Sequence, residues 1–279
     1  MKNKIYDVYK KISEVNEILK IVLGGNHELA LNVLKWITNQ EENLKLIISE
    51  GLDSSWETNF QVEGKNIAKK FDVPFLVGDI NSFSKQIKEI SPDIIILCRC
   101  KKRIKREILS IPKIGCTNIH YGLLPRYGGI APIHWAIRNG EDTIGITLQF
   151  MSEEFDEGDI IDQKEFSTDG PSRYIKLDNK KIKFQGITSW EAYKQANKVG
   201  LELFMKNFIK LKNKTNKRIK QDLTKKLYYK KETINYKKDS IINFENKTDE
   251  EIANLVKAFT FPPCQIPLRE RNSRLEEII

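Results

Sequence analysis

Five short apolar runs alternate with helical patterns before residue 121, and this alternation constrains the fold more than any other feature. The runs are Lys20–Gly24 (KIVLG), Leu44–Ser49 (LKLIIS), Val73–Val77 (VPFLV), Asp93–Cys98 (DIIILC) and Cys116–His120 (CTNIH). Strands covered on both faces are apolar throughout rather than alternating. Leu29, Val33, Leu34, Trp36 and Ile37 follow the first run at helical spacing. Gly64–Phe71, Lys85–Ile90 and Ile104–Leu109 also read as helices. Strand, turn, helix, repeated with short connections, predicts an α/β fold with a mostly parallel, Rossmann-like sheet covered on both faces.

The second half changes character. Ile130–Arg138 reads as a helix with Pro132 in its first turn, where proline is tolerated. Ile144–Met151 and Asp159–Phe166 read as a hairpin around Asp156 and Gly158. Trp190–Leu211 is a long amphipathic pattern. Thr248 and Glu251 make a capping-box pattern before a helix over Ile252–Phe259. The expected organisation is an N-terminal amphipathic helix over 1–19, a main domain over 20–210, and a linker with a short appendage over 211–279.

Composition narrows the class. The chain has 279 residues and a net charge of +9. The start carries apolar residues at helical spacing instead of a signal core, and no run of about eighteen apolar residues occurs. A cytoplasmic protein with no membrane partner is expected. The excess charge is diffuse, so nucleic acid is not the expected partner; a phosphate-bearing small molecule fits as well. Cys98, Cys100, Cys116 and Cys264 lack zinc-site spacing, so free thiols and no metal are expected. Gly24 and Gly25 lack the third glycine of a dinucleotide fingerprint. They read first as a tight turn, with Gly25 and Asn26 as candidate substrate contacts.

The chemistry concentrates in NIHYGLLPRYGGIAPIHWAIRNGEDTIGITLQFMSEEFDEGD, which begins at Asn118. Alternate residues of a strand share a face, so Asn118 and His120 point one way. An amide that can stabilise an oxyanion, an imidazole that can carry a proton and a carboxylate, Asp156, that can orient it make a plausible acyl-transfer set.

This segment resembles the catalytic core of the folate-dependent formyltransferases. The resemblance rests on Asn118-x-His120, Leu123-Leu124-Pro125, Tyr127, Gly129, Pro132-Ile133-x-Trp135-Ala136-Ile137, Asn139-Gly140, Gly145-x-Thr147 and Asp156-x-Gly158. It departs at Gly128, where arginine is usual, and at Gly122, where serine is common. The resemblance implies 10-formyltetrahydrofolate as co-substrate and Asn118, His120 and Asp156 as catalytic residues. It implies folate contacts from Arg103, Ile104, Leu124 and the loop before Asp156.

Three acceptors compete within the resemblance. Methionyl-tRNA formyltransferases carry a C-terminal barrel and a basic early loop. Here EGLDSSWETNFQ is acidic, and only residues 263–279 follow Pro262. Glycinamide ribonucleotide formyltransferases lack the tail. The style is nearest the nucleotide-sugar N-formyltransferases, of the kind used in lipopolysaccharide biosynthesis. A nucleotide-linked amino sugar is therefore the expected partner, with Tyr228 or Tyr229 stacking on the base. A tail-mediated homodimer contact, a tRNA acceptor and a non-catalytic folate- or nucleotide-binding role remain as alternatives.

Overall fold

The computed structural model describes residues 18–40, 42–51, 59–177, 180–243, 245–262 and 268–269. The helix expected over 1–19 falls almost wholly outside them, as does Cys264. In chain order the elements are β1 (Lys20–Gly25), α1 (His27–Thr38), β2 (Asn43–Ser49), α2 (Asn59–Lys70), β3 (Phe75–Val77), α3 (Ser84–Ile90), β4 (Ile94–Cys98), α4 (Arg106–Leu109) and β5 (Gly115–His120). Then follow β6 (Gly128–Gly129), α5 (Pro132–Arg138), β7 (Thr143–Phe150), β8 (Ile160–Ser167), β9 (Ser172–Leu177), β10 (Lys180–Gln185) and α6 (Ser189–Lys212). The chain continues through β11 (Tyr228–Tyr229), α7 (Tyr236–Asp239), β12 (Ile241–Ile242), α8 (Asp249–Phe259) and β13 (Leu268–Arg269). Among the described residues the main sheet runs β3-β2-β1-β4-β5-β7-β8.

Two compact units divide the chain. The first takes the described residues up to Asn118, Phe150–Glu153 and Phe204–Arg218. Here β1 pairs in parallel with β2 and with β4, and β2 with β3. The runs are apolar because both faces are covered: Ile21, Val22 and Leu23 are buried, as are Ile94, Ile95, Ile96 and Leu97. Val22, Leu46, Ile48, Ile95 and Leu97 pack in one cluster with Ile80, Ile87 and Ile108. Each such aliphatic side chain contributes ~1.5–3 kcal/mol on burial. The end of α6 belongs to this unit: Phe204 and Phe208 meet the Trp36 ring of α1 edge-on at 5.5 and 5.0 Å. Lys212 pairs with Glu42 there.

The second unit takes Ile119–Gln149, Glu154–Leu203 and the described residues from Ile219 onward. β7 and β8 form the expected antiparallel hairpin, with a register shift between Leu148 and Gln149. β9 and β10 form a second antiparallel pair that sequence reading missed. Its inward residues Ile175, Ile182 and Phe184 join Ile242, Ile252, Ala253 and Val256 in a separate small core. The capping box is present, with Thr248 Oγ1 accepting from Glu251 N–H and Glu251 accepting from Thr248 N–H. The tail thus packs inside this unit with residues 119–149.

Helix edges differ from the periodicity at several ends; the Gly64–Phe71 pattern, for one, begins at Asn59. The Ile104–Leu109 pattern is helical only from Arg106, because Ile104 is drawn into the core. The Ile130–Arg138 pattern starts at Pro132, after Ala131 turns left-handed at φ 53°.

Candidate active site

β5 supplies the first residue. Asn118 is buried, and its Oδ1 accepts the Cys100 N–H at 3.2 Å. That bond fixes the amide orientation. Its oxygen is engaged, and its N–H groups remain as donors, as an oxyanion requires.

In the second unit His120 and Asp156 come together. His120 Nδ1 lies 3.4 Å from Asp156 Oδ1, and His120 Nε2 lies 2.8 Å from the Tyr127 carbonyl. Both ring nitrogens face oxygen acceptors, and in the neutral ring the tautomer decides which of the two donates. Asp156 takes a left-handed conformation at φ 56°, which Asp tolerates better than most residues. Its Oδ2 accepts the Gly129 N–H at 2.8 Å, and its Oδ1 accepts from Gln149 Nε2 at 3.2 Å. Both carboxylate oxygens are therefore held while one faces the imidazole.

Gly122 makes the Tyr127 contact geometrically feasible. A Cβ there would lie 2.2 Å from the Tyr127 carbonyl oxygen and 2.8 Å from His120 Nε2. The loop that follows is anchored by Thr147, whose Oγ1 donates to Gly122 O at 2.6 Å and accepts from Leu124 N–H at 3.2 Å.

The tail completes the surroundings. β11 pairs in parallel with β6, setting Tyr228 against Gly128 and Tyr229 against Gly129. A Cβ at Gly128 would meet the Tyr228 ring at 3.1 Å and Asp156 Cβ at 3.6 Å. The small residue therefore makes room for an aromatic ring beside the carboxylate. Burial, and then the Asp156 and Glu232 charges, raise the Tyr228 hydroxyl above its ordinary pKa. Lys226 lies over the Tyr228 ring at 4.8 Å and pairs with Glu157 at 2.5 Å.

Tyr229 has a different place. Its ring stacks on Trp135 at 4.3 Å and runs near-parallel to Tyr127 at 6.1 Å. Its hydroxyl accepts from Asn139 Nδ2 at 2.9 Å. Trp135 covers one face of the Tyr229 ring, and the ring fastens β11 to α5. Tyr228 is the tail aromatic left beside Asp156.

The remaining expected contacts sort by burial. At the end of β1, a Cβ at Gly25 would lie 2.8 Å from the Cys98 carbonyl, and Asn26 Oδ1 accepts from Ser49 Oγ at 2.7 Å. Leu124 is buried, and its carbonyl accepts from Gln163 Nε2 at 2.8 Å. Its N–H donates to Thr147 Oγ1. The Ile104 side chain is core, which leaves only its backbone for a ligand. Arg103 Nε donates to the Glu153 carbonyl at 2.5 Å and lines a polar cleft with Asp79, Asn81, Lys102 and Arg106. Cys98, Cys100 and Cys116 are free, and burial raises all three thiols, Cys116 to about 12, so none is poised as a nucleophile. Sequence reading missed Gln149 and Gln221. Gln221 Nε2 donates to the Asp156 carbonyl at 2.8 Å and the Gly158 carbonyl at 2.7 Å.

With this geometry established, comparison with known proteins is direct. The formyl transferase family pattern matches residues 79–182. A methionyl-tRNA formyltransferase of Ruminiclostridium cellulolyticum is 30% identical over 261 residues, spanning 87% of this chain and 76% of that protein. The N-formyltransferase of Helicobacter canadensis, solved with folinic acid and dTDP-3-aminofucose, superposes with a TM-score of 0.69 at 24% identity. That match covers 91% of this chain and 85% of that one. WlaRD, a sugar 3-N-formyltransferase solved with dTDP and 5-N-formyl-THF, gives a TM-score of 0.68 at 24% identity, covering 93% and 85%. The two structures share the fold seen here, and the sequence match carries the assignment: this chain belongs to the formyl transferase family.

Proposed function

We propose that the chain transfers a formyl group from 10-formyltetrahydrofolate to the amine of a nucleotide-linked amino sugar. The observation that carries formyl transfer is His120 set between the Tyr127 carbonyl and the Asp156 carboxylate. The donor supplies an activated formyl carbon. The acceptor amine adds to that carbon, and the C–N bond forms as negative charge develops on the formyl oxygen. The Asn118 amide, oriented by Cys100, stabilises that charge. The amine proton passes to His120, whose imidazolium Asp156 stabilises, and returns to the folate nitrogen as its bond to the formyl carbon breaks. No proton or electron is left over.

The sugar reading is supported by Tyr228, a half-buried ring beside Asp156 where Gly128 leaves space. It also agrees with the acceptors named for the structurally similar enzymes. The cleft of Arg103 and Lys102 offers cations to the glutamate end of the folate. A second reading, a tRNA acceptor, is favoured by the methionyl-tRNA formyltransferases among the sequence relatives.

The test is tetrahydrofolate release, followed by absorbance, with a panel of nucleoside-diphosphate amino sugars against methionyl-tRNA and glycinamide ribonucleotide. Turnover with one sugar, lowered about 10²–10⁴-fold in His120→Ala, is the expected result. Turnover with charged tRNA alone would replace the sugar reading by the second one.

A further inference from the structure

The Asp156 turn is held from an unexpected direction. Gln149 is buried in β7, and its Nε2 donates to Asp156 Oδ1 at 3.2 Å. An amide has two ends, and something must keep the nitrogen end toward the carboxylate. Gln221 does so: its Nε2 lies 3.4 Å from Gln149 Oε1. The same Nε2 makes its two shorter bonds to the carbonyls of Asp156 and Gly158, on either side of the left-handed turn. Gln221 Oε1, by contrast, is buried without a partner among the described residues. The side chain gives up one acceptor to place its donor. Next to it, Ile219 bridges Ile160 with reciprocal backbone bonds of 2.8 and 2.9 Å, so the tail backbone is registered against the strand that leaves the turn.

We propose that Gln221 is a positioning residue for the reaction: it fixes the Gln149 amide and the Asp156 turn, and so keeps the carboxylate aimed at His120. This rests on the formyl-transfer reading for its rate consequence but not for its structural one. The tail segment is then part of the catalytic machinery, although it lies outside the region matched by the family pattern.

The test uses the full chain with Gln221→Leu, which removes the donor at nearly the same volume, and Gln221→Glu, which keeps shape and reverses the hydrogen-bonding end. The His120 ring resonances are followed by imidazole NMR and assigned with His120→Ala; the chain has only three histidines. Asp156 faces His120 and Tyr228 faces Asp156; both stay in every variant, so a shift reports the amides. Gln221→Leu is expected to shift the His120 ring resonances, because the carboxylate is no longer held against the ring. It is also expected to lower kcat about 10–100-fold, with little change in KM or Tm. Gln149→Leu should cost a similar factor, and the double variant little more than either single, because the two amides act in series. Gln221→Glu should recover part of the loss toward acid, where a protonated carboxyl regains a donor. Unmoved His120 ring resonances in Gln221→Leu, with activity falling only in step with the folded fraction, would overturn the proposal. So would fully additive losses in the double variant. If the wild-type protein transfers no formyl group, the functional reading fails, and the His120 resonances still decide the role of Gln221.

Discussion

Asn118 and His120 stand two residues apart on one strand, yet they are held by different means. Asn118 needs a single backbone N–H, from Cys100 at the end of β4, inside a parallel sheet of continuous apolar runs. His120 needs a carbonyl from one loop and a carboxylate from another. That second loop is itself secured by Gln221, 65 residues beyond Asp156. The first arrangement is backed by burial, which is non-directional and tolerant in its details. The second is built from short directional bonds between distant residues, where a displacement of about 1 Å costs rate long before it costs stability.

Substitutions that separate the two arrangements sharpen the contrast. The largest effect on stability is expected in the first unit. Phe204 is fully buried against Trp36 and Phe208, so Phe204→Ala should cost ~3–5 kcal/mol by denaturant unfolding. The same variant should leave kcat of the folded fraction nearly unchanged. A loss of kcat at full folding would erase the distinction drawn here.

Acid should act on the second unit. Burial, then the Arg138 charge, pushes His134 down to about 4, against the pull of the Ala258 carbonyl and Asp239. The folded state then refuses a proton that the unfolded chain accepts from pH 6.5 downward. Stability should therefore fall with pH between 6.5 and about 4, by ~3 kcal/mol at the lower end. Measured as Tm against pH, this dependence should shrink in His134→Phe. An equally steep acid limb in that variant would place the sensitivity elsewhere.

Gly122→Ser sets packing against rate. Its Cβ would collide with the Tyr127 carbonyl and crowd His120, so the loop must give way. A fall in kcat of roughly 10²-fold is expected, with Tm lowered only slightly. Serine is common at this position in the relatives that the sequence resembles, so an unaffected kcat would mean that the Tyr127 carbonyl does not matter to His120.

The smallest effect is local. Thr248→Ala removes the N-cap of α8 and should cost ~1 kcal/mol with activity intact. Melting of the small core around Ile252 and Val256 ahead of the rest would show that this part of the tail unfolds on its own.

The sequence was legible where one periodicity ran uninterrupted. KIVLGG, NLKLIIS and IIILC were readable as buried parallel strands because both their faces meet apolar neighbours. The capping box was readable because its two partners lie three residues apart. The β9–β10 pair had a signal that was passed over: apolar residues alternate with charged ones in SRYIKL and KKIKFQ, around an Asp-Asn pair. The candidate set Asn118, His120 and Asp156 was proposed on the same local ground, since the first two share one strand and Asp156 sits in a turn-forming Asp-x-Gly.

By itself the sequence determined the α/β layering and the cap of α8, both of which depend on residues close in the chain or on composition along one strand. Tertiary structure alone decided that Tyr229 stacks on Trp135, that Tyr228 fills the space left by Gly128, and that Gln149 and Gln221 secure the carboxylate across 72 residues of chain. A hydrogen bond or a ring contact between such distant residues depends on where folding brings them. No local pattern encodes it, because the same glutamine would be equally at home on a solvated surface.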